Sequence, residues 1–251
     1  GPPPMPADRR GLGGRLTTGL AVFDTLLPIV RGQRMGLFAG SGVGKSRLIA
    51  TLANAMAADV VVIGLIGERG REVRDFVEDT LGPTGLARSV VIAASSDRPA
   101  LTRSRAALTM MAVAEYFRDQ GQHVLLLADS ITRFAEAQRD VAAAAGEAFG
   151  PSGFPASMAQ RVMALAERAG PGAKGQGDIT AVFSVLVAGS DMDGPVADVM
   201  RGVLDGHVVL TREIAERGRF PAVDLLRSVS RALPAAADAD ENRIITRARQ
   251  L

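Results

Sequence analysis

The sequence predicts an α/β fold in which a mainly parallel, twisted sheet is covered by helices on both faces. Three observations predict it. Short β-branched runs alternate with longer amphipathic stretches along the 251 residues, the order expected when strands are joined by crossover helices. Runs such as Val124-Leu125-Leu126-Leu127-Ala128 are apolar without alternation, so both of their faces need cover. A strand-like run at 35–39 also passes through a glycine-rich loop into a helical pattern, as it does in phosphate-binding α/β proteins.

Residues 1–14 are rich in Pro, Gly and Arg and read as a disordered linker, with Gly1-Pro2 suggesting a tag remnant on an excised domain. Strands are predicted at 35–39, 60–66, 90–94, 124–128, 179–187 and 207–210. Helices are predicted at 45–57, 72–81, 99–118, 130–141, 157–168 and 196–204. In the helix from Ser130, the residues Ile131, Phe134, Ala135, Val141 and Ala142 recur at three- and four-residue steps and make one buried face. From about Pro234 the pattern fades into Ala, Asp and Arg. The chain therefore divides into a linker at 1–14, a core domain at 15–234 and a stub at 235–251.

Composition removes several function classes. No run approaches the ~18 uninterrupted apolar residues of a membrane span, and the N-terminus carries no apolar leader segment. Cysteine is absent, which excludes disulfides and thiolate metal sites and fits a reducing compartment. Two histidines, His123 and His207, are too few for a histidine-rich metal site. The net charge is +2 with arginines interleaved among acids, so no nucleic-acid partner is expected.

The loop Gly40-Ser41-Gly42-Val43-Gly44-Lys45-Ser46 carries the chemistry. Its glycines let several N–H groups converge on phosphate oxygens, and the helix that starts there adds its dipole. Lys45 is placed to reach the β- and γ-phosphates of ATP, and the Ser46 hydroxyl to hold Mg²⁺, with Arg47 next along the helix. Ala39 stands where the usual pattern has Gly, which extended backbone tolerates.

Phosphoryl transfer to water also needs an acid for the metal and a group that orients the water. Asp129 ends the run 124–128, where a strand delivers a carboxylate to the ligand-binding edge of the sheet. It is the candidate Mg²⁺ acid, and capping the Ser130 helix is a second use for it. Glu68 follows the run 60–66, on a strand expected beside the phosphate loop. It is one candidate for the water-orienting carboxylate, while Glu72, Asp75 and Glu78 read as a solvated helix face.

Together these motifs resemble the flagellar and type III secretion ATPases, relatives of the rotary ATP synthase α and β subunits with a RecA-like P-loop ATPase core. The resemblance runs through the phosphate loop, Ile66-Gly67-Glu68-Arg69-Gly70-Arg71-Glu72, Leu127-Ala128-Asp129-Ser130-Ile131-Thr132-Arg133, Gly153-Phe154-Pro155, Leu204-Asp205-Gly206-His207, Phe220-Pro221-Ala222-Val223-Asp224 and Ser228-Val229-Ser230-Arg231. It covers about residues 17–234 in the family's order. It implies that Glu68 is the catalytic glutamate, a residue that noncatalytic α-type subunits lack. It places Arg69 and Arg133 near the γ-phosphate, and Arg231 as an arginine finger reaching a neighbouring subunit's nucleotide. Phe220 takes the place of an aromatic, usually Tyr, that packs on adenine, and keeps the stacking face.

The resemblance further implies ATP and Mg²⁺ as cofactors and a homohexameric ring. Stalk and regulator proteins, export substrates and chaperones would be its partners, in a cytoplasmic position peripheral to the inner-membrane export apparatus. The run Gly189-Ser190-Asp191-Met192-Asp193-Gly194-Pro195 departs in wording from an acidic loop of the family. The family's N-terminal β-barrel has no counterpart in this sequence, and its C-terminal helical domain has at most the stub, so weak nucleotide binding is expected. A rotary synthase catalytic subunit, a Rho-like RNA translocase and a nucleotide-dependent scaffold are the alternatives.

Overall fold

The computed structural model describes residues 3–188 and 192–250. Strands β1 (Arg15–Leu16) and β2 (Ile29–Val30) form a small antiparallel pair. The main sheet contains β3 (Arg34–Ala39), β4 (Val60–Ile66), β5 (Ser89–Ala94), β6 (Val124–Asp129), β7 (Gly170–Pro171), β8 (Asp178–Leu186), β9 (Gly206–Leu210) and β10 (Val223–Ser230). Its order is β10-β9-β3-β8-β6-β4-β5, with β7 paired to β8. From β9 to β5 all pairings are parallel, while β10 and β7 run antiparallel to their neighbours.

The helices are α1 (Lys45–Ala55), α2 (Gly70–Asp75), α3 (Gly82–Ala87), α4 (Ala100–Asp119), α5 (Ile131–Ala144), α6 (Ala156–Glu167), α7 (Pro195–Val203), α8 (Arg212–Glu216) and α9 (Ala239–Ala248). The expected α/β architecture and all six expected strands are present. The unbroken apolar runs have the reason given above. Along β6, Leu126 and Ala128 enter the core shared with α4–α7, whereas Leu125 and Leu127 enter the core shared with α1.

Four regions differ from the sequence reading. The helix expected at 72–81 is α2 followed by a wider turn at Phe76–Leu81 and then α3. That wider turn brings Phe76 and Leu81, five residues apart, into the same core. Strand β10 was not expected. Its register shifts between Asp224 and Val229, and Leu226 is exposed, so no alternation marks it. Within 235–251, α9 is a capped helix: Asp238 accepts from the Glu241 N–H, and Glu241 accepts from that of Asp238. In the stretch read as a linker, Arg9 donates to the Ala169 carbonyl at 2.9 Å and Arg10 pairs with Asp178 at 2.5 Å. Of the divergent run 189–195, residues 189–191 lie outside the described residues, as does the Gly1-Pro2 start.

Candidate active site

β3 stops at Ala39 and α1 starts at Lys45, so the phosphate loop arches over the C-terminal edge of the sheet. Gly42 and Gly44 take φ values of 77° and 85°, a region that a Cβ disfavours. Gly44 has a second constraint, since a Cβ there would stand 3.1 Å from the Phe220 ring. The loop opens on a cleft of about 660 Å³ lined by Gly40, Lys45, Ser46, Glu68 and Arg133.

Lys45 is the centre of this cleft. Its ammonium forms an ion pair with Asp129 Oδ1 and lies 3.5 Å from Glu68 Oε1. Glu68 reaches it by a route other than the one expected, because β8 and β6 separate β3 from β4. The phosphate loop spans those two strand ends to meet Glu68. Burial, followed by the negative charge of Asp129, pushes the Glu68 carboxyl above the ordinary carboxylate range, against an opposing pull from Lys45. One ammonium cannot neutralise two carboxylates, and the deficit is carried by Glu68.

Asp129 is buried, and its Oδ1 also accepts from the Ser184 hydroxyl at 2.6 Å. Capping of α5 falls to Ser130, whose side chain accepts from the Arg133 N–H at 3.3 Å. Asp129 is thereby left to face Lys45. Gly67, at φ 74°, sits where a Cβ would stand 2.7 Å from the Arg133 Cβ. This close approach lays Arg133 across the end of β4, with its guanidinium held by Glu136 at 2.8 Å.

Other sequence candidates occupy the rim. The Arg69 side chain is 81% exposed and pairs with Glu72 at 3.1 Å. Arg47 lines both the cleft and an adjoining apolar recess of about 220 Å³, formed with Leu20, Leu48 and Phe220. The Ser41 carbonyl accepts from Arg212 at 3.5 Å. Val43 is buried in the core, so only its backbone is available to a ligand.

Arg231 is not part of this cleft. It follows Ser230, which is paired to Gly206 at the start of β9, and its N–H donates to the Asp205 carbonyl. That level of the sheet is the level of Arg34, and Ala39 lies five residues further along β3, roughly 16 Å away. Sequence reasoning missed two neighbours of the site. Ser184 is a hydroxyl that interrupts the apolar stretch 181–186 of β8, and that interruption was a readable signal. Arg103 lines the cleft while paired to Asp140 at 3.3 Å, and nothing in its local sequence marks it.

The model of the ATP synthase alpha/beta family, nucleotide-binding domain, matches residues 19–230. The chain belongs to this family. Within it, the "Flagellum-specific ATP synthase" of Caulobacter vibrioides is 51% identical over 99% of this chain and 57% of its own length. That of Salmonella typhimurium is 53% identical over 93% and 51%. The "Type 3 secretion system ATPase" of Pseudomonas syringae is 48% identical over 98% and 54%. The chain thus spans about half the length of the curated relatives it matches.

Among solved structures, a prototypical ATPase from the type III secretion system of pathogenic bacteria superposes with a TM-score of 0.93. Its identity is 44%, over 99% of this chain and 71% of that one. The assembled ATPase EscN of enteropathogenic E. coli gives 0.91 at 43% identity, over 100% and 60%. The family and the fold agree with the resemblance read from the motifs.

Proposed function

We propose that this chain is the catalytic domain of a protein-export ATPase, hydrolysing ATP in a homohexameric ring. The observation that carries this reading is the meeting of Glu68 and Asp129 at the Lys45 ammonium, below a phosphate loop whose cleft Lys45 and Glu68 line. ATP lies with its phosphates against the backbone N–H groups of Gly40–Ser46 and the Lys45 ammonium. Its base stacks on Phe220 in the apolar recess. Glu68 accepts a hydrogen bond from the attacking water and aligns it with the γ-phosphorus. The new P–O bond forms as the bond to the ADP oxygen breaks, and Arg69 and Arg133 supply positive charge at the rim of the cleft.

The residues present fit Mg²⁺. Ser46 and Asp129 offer a hydroxyl and a buried carboxylate, the all-oxygen donor set this ion takes when substrate phosphates and waters complete its shell. Bound there, Mg²⁺ neutralises phosphate charge.

Arg231 stands at the far end of β3 from the loop that its own chain folds around ATP. A guanidinium in that place serves the nucleotide of the next subunit, where positive charge accelerates phosphoryl transfer by about 10³- to 10⁵-fold. The relative EscN is described as assembled, and also in complex with its central stalk EscO. By analogy, the ring proposed here works on a stalk with regulator proteins, export substrates and chaperones. It sits peripherally on the cytoplasmic side of the inner membrane.

The test is ATP turnover of the full-length protein against protein concentration. Specific activity rises steeply as rings assemble. Specific activity independent of concentration, in a species shown to be monomeric, refutes the trans arginine.

A further inference from the structure

We infer that Asp205 is a positioning residue for Arg231, acting through its pairing with Arg34. This rests on the reading of Arg231 as an arginine that serves the neighbouring subunit.

The backbone of Arg231 is fixed at one point, its N–H donating to the Asp205 carbonyl at 3.0 Å. Asp205 is itself held from several directions. Its N–H donates to the Arg34 carbonyl at 2.8 Å. Its carboxylate accepts from the Arg34 N–H at 2.9 Å, from Arg34 Nε at 3.0 Å and from Arg34 Nη2 at 3.1 Å. Its carbonyl takes a second donor, Gln33 Nε2, at 3.0 Å. The same Gln33 nitrogen donates to Ser230 Oγ at 3.2 Å, and Ser230 Oγ donates to the Pro28 carbonyl at 2.6 Å.

Residues 205 and 230–231 are therefore bound into one hydrogen-bonded unit with residues 28–34. Gly206 reinforces it: its φ is 154°, and a Cβ there would stand 2.5 Å from the Val229 carbonyl oxygen. The start of β9 and the end of β10 approach as closely as backbone allows. By contrast, the Arg231 side chain is exposed, with one weak contact to the Arg201 carbonyl at 3.4 Å. A long side chain held only weakly at its tip is aimed mainly by its root, and Asp205 holds the root. The bidentate Arg34 pair has the geometry that makes such an anchor directional. Arg34 also opens β3, the strand that ends in the chain's own phosphate loop. The anchor of the arginine that serves one site thus belongs to the framework of another.

The test uses full-length protein. Asp205→Asn keeps the size of the side chain and weakens the Arg34 pair. Alone, it lowers kcat about ten- to a hundredfold, a fraction of the loss expected for removing an arginine finger, with KM for ATP little changed. Mixed with an equal amount of Glu68→Gln protein, it recovers turnover. Glu68→Gln subunits bring an intact Arg231 to the intact sites of Asp205→Asn subunits at about one quarter of the interfaces of randomly assembled rings. A purely structural defect gives no such recovery.

The control is Arg231→Ala mixed with Glu68→Gln. Failure of that mixture to recover activity overturns the trans arginine itself. Recovery there, with Asp205→Asn either fully active alone or not rescued by mixing, overturns the role of Asp205 only. If Asp205→Asn does not fold, Arg34→Lys is read in its place, since it keeps the charge and loses the bidentate pair. The same loss and the same rescue are expected, and full activity of Arg34→Lys overturns the inference.

Discussion

At the edge where β3, β6 and β4 end, one ammonium group faces two carboxylates, those of Glu68 and Asp129. Towards the opposite edge the acids are matched. Asp178 takes Arg10 and Arg31, both at 2.5 Å, Asp205 takes Arg34 at 3.0 Å, and Glu115 takes Arg168 at 2.6 Å. Both regions set basic side chains against carboxylates around the same sheet. The matched one holds the chain together, and the unmatched one is the place proposed above for Mg²⁺ and ATP. Perturbed carboxylates mark functional sites for this reason.

The largest effect that separates the two is expected from Arg231→Ala. It lowers kcat by about 10³- to 10⁵-fold in assembled rings and leaves the unfolding midpoint unchanged, both measurable on one preparation. Next is Glu68→Gln, which lowers kcat by about 10²- to 10⁴-fold while nucleotide binding, followed by a fluorescent ATP analogue, persists. Third, at the matched pole, Arg168→Ala takes two hydrogen bonds from the buried Glu115 carboxylate. It costs about 2–3 kcal/mol of stability in urea unfolding and leaves kcat of the folded protein within about twofold. A catalytic loss there as large as that of Glu68→Gln would break the contrast.

The smallest effect is the most diagnostic. The pKa of Glu68 is raised by burial and by Asp129, so the folded state holds this proton more tightly than the unfolded chain does. Its contribution to stability is complete below the unfolded value of about 4.3 and is lost as pH rises through the folded value. Glu68→Gln removes that loss. The variant therefore melts higher than the parent at pH 7, and the gain disappears near pH 4. The acid limb of kcat/KM in the parent lies above the pH at which an ordinary glutamate titrates. Equal melting of both proteins at pH 7 would contradict the shift.

The parts of this molecule written in local sequence were legible. The loop 40–46 names its own ligand because glycine, lysine and serine are needed at fixed steps along the chain. Buried strands show as unbroken apolar runs because both faces are covered. What depended on distant pairing was not legible from the residues alone. Strand β10 is held by β9 and breaks its own alternation, and Arg103 enters the cleft only because α4 packs beside it. The strand carrying Glu68 was expected next to the loop, yet two strands intervene, since order within a sheet is set by crossovers rather than by proximity in sequence. The family resemblance supplied Arg231, whose position just past the end of an outer strand gives no local sign of function.

Phe220 has an optical consequence. The sequence contains no tryptophan and a single tyrosine, Tyr116, which lies on α4 away from the cleft lining. These 251 residues are therefore almost dark under excitation near the tryptophan band. Phe220 is 54% exposed and its ring lies over Gly44 at the mouth of the apolar recess proposed for the base. Phe220→Trp puts a lone indole at that mouth, half in water, against an empty spectral background. Stacking of a purine quenches it, and the emission reports occupancy directly, at equilibrium and in stopped flow, without a labelled nucleotide.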